Sequence, residues 1–231
     1  MTIVAEYLKL RTTRAPAWMA VTVLVLSLGM AELQAYASYG PLAPDRAASG
    51  AAMFGVPVLM ILSALTVTGE YRTAMIRTTF LVTPNRVRVL AAKALVAAGF
   101  SGVVSALATL GSVVLTAGGP HWRVVGAVTL YAVLGAVLAV GLGAVVRHTA
   151  AAVAVLLLLP FVLEPLLGVS PQLGARIGPL LPFANANAFT GVTWLQTFTM
   201  WWGAAGSALY FAAVSAAVFA VGAVVVTRRD A

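Results

Sequence analysis

Apolar runs recur six times along the chain, at about 16–36, 51–68, 94–117, 124–146, 149–168 and 201–227, with short polar or proline-bearing stretches between them. Each run reaches or approaches the ~20 residues that an apolar helix needs to cross about 30 Å of hydrocarbon. The pattern predicts an all-α polytopic membrane protein with six transmembrane helices, the whole of 1–231 forming one transmembrane domain.

Composition strengthens this reading. The 231 residues are 61% hydrophobic and 9% charged, with a mean hydropathy of +1.00, whereas soluble domains are roughly half apolar and a quarter charged. The net charge of +8 raises nucleic acid as a partner, but the basic residues flank apolar runs and form no soluble basic face, so no nucleic-acid partner is expected. The chain has no cysteine, which excludes disulfides, thiol catalysis and cysteine-based metal sites.

Charge also orients the helices. With the N-terminus inside, Lys9, Arg11, Arg14, Arg72, Arg77, Arg86, Arg88, Lys93, Arg147, Arg228 and Arg229 lie on the inner side, against Arg46, Arg123 and Arg176 outside. Cytoplasmic loops are enriched in Lys and Arg, so both termini are expected in the cytoplasm. Arg11 and Arg14 before an apolar run, with Ala35-Tyr36-Ala37 after it, have the outline of a cleavable signal. The run is longer than the 7–15 residues of a signal core, and a retained first span is the expectation.

Residues 2–13 place Ile3, Val4, Tyr7 and Leu8 on one helical face and Glu6, Lys9 and Arg11 on the other. That spacing predicts an interfacial helix over 1–14 meeting the first span at Ala15-Pro16, the alternative being a frayed basic terminus. In the fourth span Gly135, Ala139 and Gly143 repeat every four residues, a close-packing stripe expected to work within the chain. The stretch 168–200, with Pro171, Pro179 and Pro182, is too interrupted to span; short re-entrant outer helices and an ordinary outer loop both fit it. Trp194, Trp201 and Trp202 fall where an aromatic belt belongs.

The largest polar island is 69–93, GEYRTAMIRTTFLVTPNRVRVLAAK, with five cations and one carboxylate. Gly69 is expected to end the second span, and Glu70 to about Val82 to form one short helix. On it Glu70, Ala74 and Arg77 share one face and Tyr71, Met75, Thr78 and Val82 another. Thr83-Pro84 then supplies an N-cap and first position for a basic helix entering the third span. A short rigid charged element of this kind suits a cytoplasmic partner, although orientation alone would also call for its cations.

No phosphate-binding loop, HExxH or GxSxG occurs, and His121 and His148 stand alone. The chain is therefore expected not to be an enzyme and to bind no cofactor. Glu164, between an apolar run and Pro165, and Glu32, near the outer end of the first span, are acids in costly positions, with headgroup contact or an Arg176 pair as the plain alternative for Glu164. They form no chain of intramembrane acids such as a proton-driven carrier uses.

The island GEYR, IRTTF and TPNRVRVLAAK resembles the cytoplasmic loop of bacterial ABC-transporter permease subunits of the type 2 exporter class, through Glu70, Tyr71, Arg72, Arg77, Pro84, Arg86 and Lys93. Ala74 stands where that family usually has glycine, which argues against a sharp bend there. RHTAAAVAVLLLLPFVLEPLLG and LLPFANANAF are similar to further family segments through Arg147, His148, Thr149, Glu164, Pro165, Pro182 and Phe183, so that the resemblance touches four of the six spans. It implies a permease half in the bacterial plasma membrane that pairs with a second permease subunit, identical or related. Two copies of an ATPase subunit would spend ATP with Mg to export an amphipathic or hydrophobic compound such as a drug, antibiotic, lipid or peptide. It further implies that the loop 69–93 is a coupling element, with Glu70, Tyr71, Arg72, Thr73 and Arg77 at the ATPase, and that Glu164 and Phe183 belong to the translocation path or outer gate. The competing class is a channel or secondary carrier that needs no ATPase.

Overall fold

The computed structural model describes residues 2–38, 40–83, 85–192 and 198–228, without the side chains of Thr2, Arg77, Phe80, Val82 and Pro171. Pro84, Trp194 and Arg229 lie outside the described residues, as does the side chain of Arg77. The secondary structure among the described residues is helical, with no strand. Helix α1 is Thr2–Thr12, α2 is Arg14–Ser38, α3 is Pro44–Arg72, α4 is Met75–Val82, α5 is Arg86–Ala117 and α6 is Trp122–Val146. They are followed by α7 at Thr149–Gly168, α8 at Pro171–Ile177, α9 at Pro182–Thr190 and α10 at Ala204–Arg228.

Six of these helices (α2, α3, α5, α6, α7 and α10) are long and apolar enough to cross a membrane. At 1.5 Å per residue, even the 20-residue α7 covers about 30 Å. Trp18, Val25, Leu158, Leu209 and Val224 project outward uncovered, an arrangement that lipid solvates and water does not. Consecutive spans alternate in direction, so the bundle has a near end, where α2 begins and α10 finishes, and a far end holding α8 and α9.

Helix α6 is the hub, packed against α3, α5 and α10. Its small residues explain why. A Cβ on Gly135 would lie 3.1 Å from Met60 Cγ, and one on Gly143 would lie 3.0 Å from the Ala64 carbonyl oxygen. The Gly135, Ala139, Gly143 stripe therefore seats α3 within the same chain, as expected. On another face Gly141 meets α10: a Cβ on Gly222 would stand 2.7 Å from the Gly141 carbonyl oxygen. Without a hydrophobic drive between helices in lipid, such close approach is what dispersion attraction requires.

Several boundaries correct the sequence reading. The second span does not stop at Gly69, because α3 continues through Arg72. Glu70, Tyr71 and Arg72 thus belong to its last turn, and the proposed shared faces with Ala74, Arg77, Met75 and Val82 do not exist. The break falls at Ala74, whose left-handed φ of 57° is costly for a residue bearing a Cβ. It is the position where the resembled loop usually has glycine, and the helix breaks there despite the alanine. Thr83 ends α4, and the cap of α5 is Asn85, whose Oδ1 accepts from the Arg88 N–H at 3.0 Å. The first span begins at Arg14 with Pro16 in its opening turn, where a missing N–H does no harm. Between 168 and 192 the chain forms two short helices and a 3₁₀ turn at Gly178–Leu180. α9 is largely buried against α6 and α10.

Gly222→Leu, which forces a side chain into the Gly141 backbone, is expected to lower stability by about 1–3 kcal/mol or more. Gly126→Ala, where nothing lies within 4 Å, is expected to be neutral. Thermal unfolding of both variants in one detergent checks this.

Candidate functional site

Four ionised side chains meet at the near end. Lys93 Nζ donates to Glu70 Oε1 at 2.6 Å and to Glu6 Oε2 at 2.8 Å; Lys9 Nζ donates to the same Glu70 Oε1 at 2.8 Å and to Glu6 Oε1 at 3.0 Å. Lys93, Glu6 and Glu70 are only 3%, 6% and 9% exposed. The two carboxylates and two ammonium groups come from three separate segments, α1, the last turn of α3 and the second turn of α5. Charges in so apolar a setting persist only when paired and hydrogen-bonded, so the three segments are fixed to one another. Burial opposes the charge on Lys9, yet its bonds to Glu70 and Glu6 outweigh burial and hold its pKa above the ordinary lysine value.

Helix α1 turns its polar side inward to make this cluster. Glu6 is buried, whereas Ile3, Val4, Tyr7 and Leu8 are about half exposed. Glu6 thus meets protein, while Arg11 and those apolar residues of α1 are uncovered.

Beside the cluster, α3 ends in Tyr71 and Arg72, with Thr73 as its C-cap. The Arg147 guanidinium lies 4.9 Å from the centre of the half-buried Tyr71 ring, a cation–π distance. The same guanidinium donates to the Val225 carbonyl at 3.2 Å, and Arg86 Nη1 donates to the Val226 carbonyl at 2.9 Å. Two arginines thereby satisfy the terminal carbonyls of α10 and complement its negative dipole end. Arg72 is exposed. Thr73 is exposed and donates its hydroxyl back to the Gly69 carbonyl at 3.0 Å. After the left-handed Ala74, α4 carries Arg77 and Thr79, whose hydroxyl reaches Glu70 Oε2 at 3.5 Å. His148 caps α7, its Nδ1 accepting from the Ala151 N–H at 3.3 Å.

At the far end the structure brings Glu164 and Phe183 together. The Glu164 carboxylate accepts from the Phe183 N–H at 2.9 Å and the Ala184 N–H at 2.7 Å, so it caps α9 from another helix. Both oxygens are engaged there and Arg176 is exposed, so the alternative Glu164–Arg176 pair is not formed. Phe183 itself is buried against Phe211, their rings 6.1 Å apart. Glu32 is exposed on α2. Asn185, fully buried, donates to the Pro179 and Leu181 carbonyls and accepts from Trp202 Nε1. Trp202 stacks on Tyr210 at 5.4 Å, and the Tyr210 hydroxyl donates to the Leu180 carbonyl.

Sequence reasoning singled out Glu70 and Glu164 but not the partners of either. Lys93 carried a signal, a lysine a full turn inside an apolar helix. The Asn185, Trp202 and Tyr210 strap carried none that spacing reveals. Among the described residues, no three His, Asp or Glu side chains gather as metal ligands would. Comparison of the sequence with protein-family models and with curated proteins finds no match.

Lys93→Met leaves two buried carboxylates facing Lys9 alone and is expected to cost about 3 kcal/mol or more. Lys93→Arg, which retains the charge, should cost less. Chemical denaturation of detergent-solubilised protein measures both. Glu164→Leu orphans the Phe183 and Ala184 N–H groups, with an expected loss of about 1–3 kcal/mol, while Glu164→Gln, still an acceptor, should fall between; the same assay ranks them.

Proposed function

We propose that this chain is the membrane-spanning permease subunit of an ATP-driven exporter of the type 2 ABC class. It would sit in the bacterial plasma membrane with both termini in the cytoplasm, paired with a second permease subunit and served by two ATPase subunits. α1 would lie at the inner interface with Ile3, Val4, Tyr7 and Leu8 toward lipid, and α8 and α9 would dip into the outer leaflet. The exported compound would be amphipathic or hydrophobic.

One observation carries the reading: a short helix, α4, is joined to the second span through Thr73 and the left-handed Ala74, just beyond the turn whose carboxylate, Glu70, is bonded to two other segments. A push on α4 would pass through Ala74 into the last turn of α3, and through Glu70 into α1 and α5. In this reading Thr73 and Arg77 touch the ATPase, Arg72 lies beside them, and Glu70 and Tyr71 transmit without touching it. The positive charge of the near end and its resemblance to the family loop support the same placement. ATP and Mg would belong to the partner, which must supply the phosphate loop that this chain lacks. Rocking of the spans would then alternate access.

The test is reconstitution with an ATPase that carries a phosphate loop, sought first in the adjacent reading frame. Arg77→Glu should weaken association at least fivefold, a typical effect of reversing an interfacial charge. Glu70→Gln should keep association and lower transport per ATP hydrolysed. Transport without any ATPase, or wild-type behaviour of both variants, would overturn the proposal in favour of a stand-alone channel or carrier.

A further inference from the structure

A cleft of about 460 Å³ opens beside the ion cluster between α1, α2, α3, α5 and α7. Its walls are mainly apolar, with Leu62, Leu65, Val96 and Pro16 among them, and its polar side is formed by the cluster together with Arg72. Such a combination, apolar walls with a few convergent charges, is what a site for an amphiphile requires.

The hydrogen-bonding capacity left over decides the sign of its headgroup. Glu70 Oε1 and both Glu6 oxygens already accept from lysines, and Glu70 Oε2 faces the Thr79 hydroxyl. Lys9 uses two of its three N–H groups in these bonds, and its side chain is 42% exposed. Among the described residues the Arg72 guanidinium makes no bond, and it offers five donors. The charged residues lining the cleft are Glu6 and Glu70 against Lys9, Arg72 and Lys93, one positive charge in excess. What the mouth lacks is an acceptor bearing negative charge.

We propose that this cleft binds one anionic phospholipid, its phosphate held by Arg72 and Lys9 and an acyl chain lying along Leu62, Leu65 and Val96. A free phosphate would use the donors and leave the apolar walls uncovered, so the lipid is the occupant that matches both. Helix α1 lines the cleft with Glu6, Lys9 and Leu10 and leaves Ile3, Val4, Tyr7 and Leu8 uncovered on its other side, which suits a helix lying at headgroup depth with the mouth of the cleft beside it. The proposal is independent of the exporter reading, because a carrier or channel with this near end would bind the same lipid.

Native mass spectrometry of the delipidated full-length protein tests it, using phosphatidylglycerol and phosphatidylcholine with identical acyl chains. One phosphatidylglycerol per chain should be retained at roughly tenfold lower lipid concentration than phosphatidylcholine, as neutralisation by two basic side chains implies. Arg72→Gln, at an exposed position, should shrink that preference to about twofold or less. Leu65→Trp, filling the cleft, should reduce retention of both lipids, with circular dichroism confirming an unchanged helical fold. Equal retention of the two lipids, an undiminished preference in Arg72→Gln, or displacement of the lipid by ~10 mM inorganic phosphate, well above ordinary ligand affinities, would overturn it.

Discussion

Two glutamates and a lysine, buried together at one end of an apolar bundle and joined by the partly exposed Lys9, fix the geometry on which the rest of that end depends. None of the three buried groups could remain ionised there alone, since taking a single charge out of water costs several kcal/mol even after relaxation. Together with Lys9 they form a closed square in which each lysine touches both acids and each acid both lysines. The square constrains three backbones at once: α1 must turn its charged face inward, α3 must stay helical to Glu70, and α5 must enter at the depth that brings Lys93 level with them. Losing Lys93 releases α5, losing Glu70 releases α3, and either loss strands buried charge, so the arrangement is more specific than it is stabilising.

The remaining rigidity comes from close backbone approach. Gly141 against Gly222, and Gly135 and Gly143 against α3, bring two helices, α10 and α3, so near to α6 that their mutual positions are set by sterics. The element outside this framework is α4. It is joined through Ala74 on one side and the segment before Asn85 on the other, with a long hydrogen bond from Thr79 to Glu70 across the gap. Stiff frame and jointed appendage are the two parts that a mechanical relay needs, whatever acts on the appendage.

The six spans were legible because twenty-residue apolar runs have no soluble alternative, and the polar side of α1 was legible because Glu6 and Lys9 share a face. The end of the second span was not. Gly69 and the charges after it read locally as a stop, but the helix continues because Glu70 finds Lys93 and Tyr71 finds Arg147, partners 23 and 76 positions away in the chain. A helix boundary set by long-range satisfaction leaves no local trace. The cap of α5 was missed for a different reason: Thr83 and Asn85 are both good caps beside one proline, and only the geometry selects Asn85.

Glu164 extends the same rule to the far end, with a helix dipole in place of a counter-charge. Proline at the first position of α9 suits the helix, since Pro182 has no N–H to lose, but it leaves the next two N–H groups, those of Phe183 and Ala184, with no acceptor in the preceding turn. In water they would be solvated. Buried against α6 and α10 they need an acceptor from elsewhere, and a carboxylate, with two oxygens and a negative charge facing the positive end of the helix, satisfies both at once. An acid at the end of an apolar span therefore has a sufficient structural reason to be there, and any part it plays in a translocation path must be played while it holds α9 in place. Movement of Phe183 within the aromatic cluster and movement of Glu164 are then a single motion of α9 together with the end of α7, because neither residue can shift alone without breaking the hydrogen bonds between them.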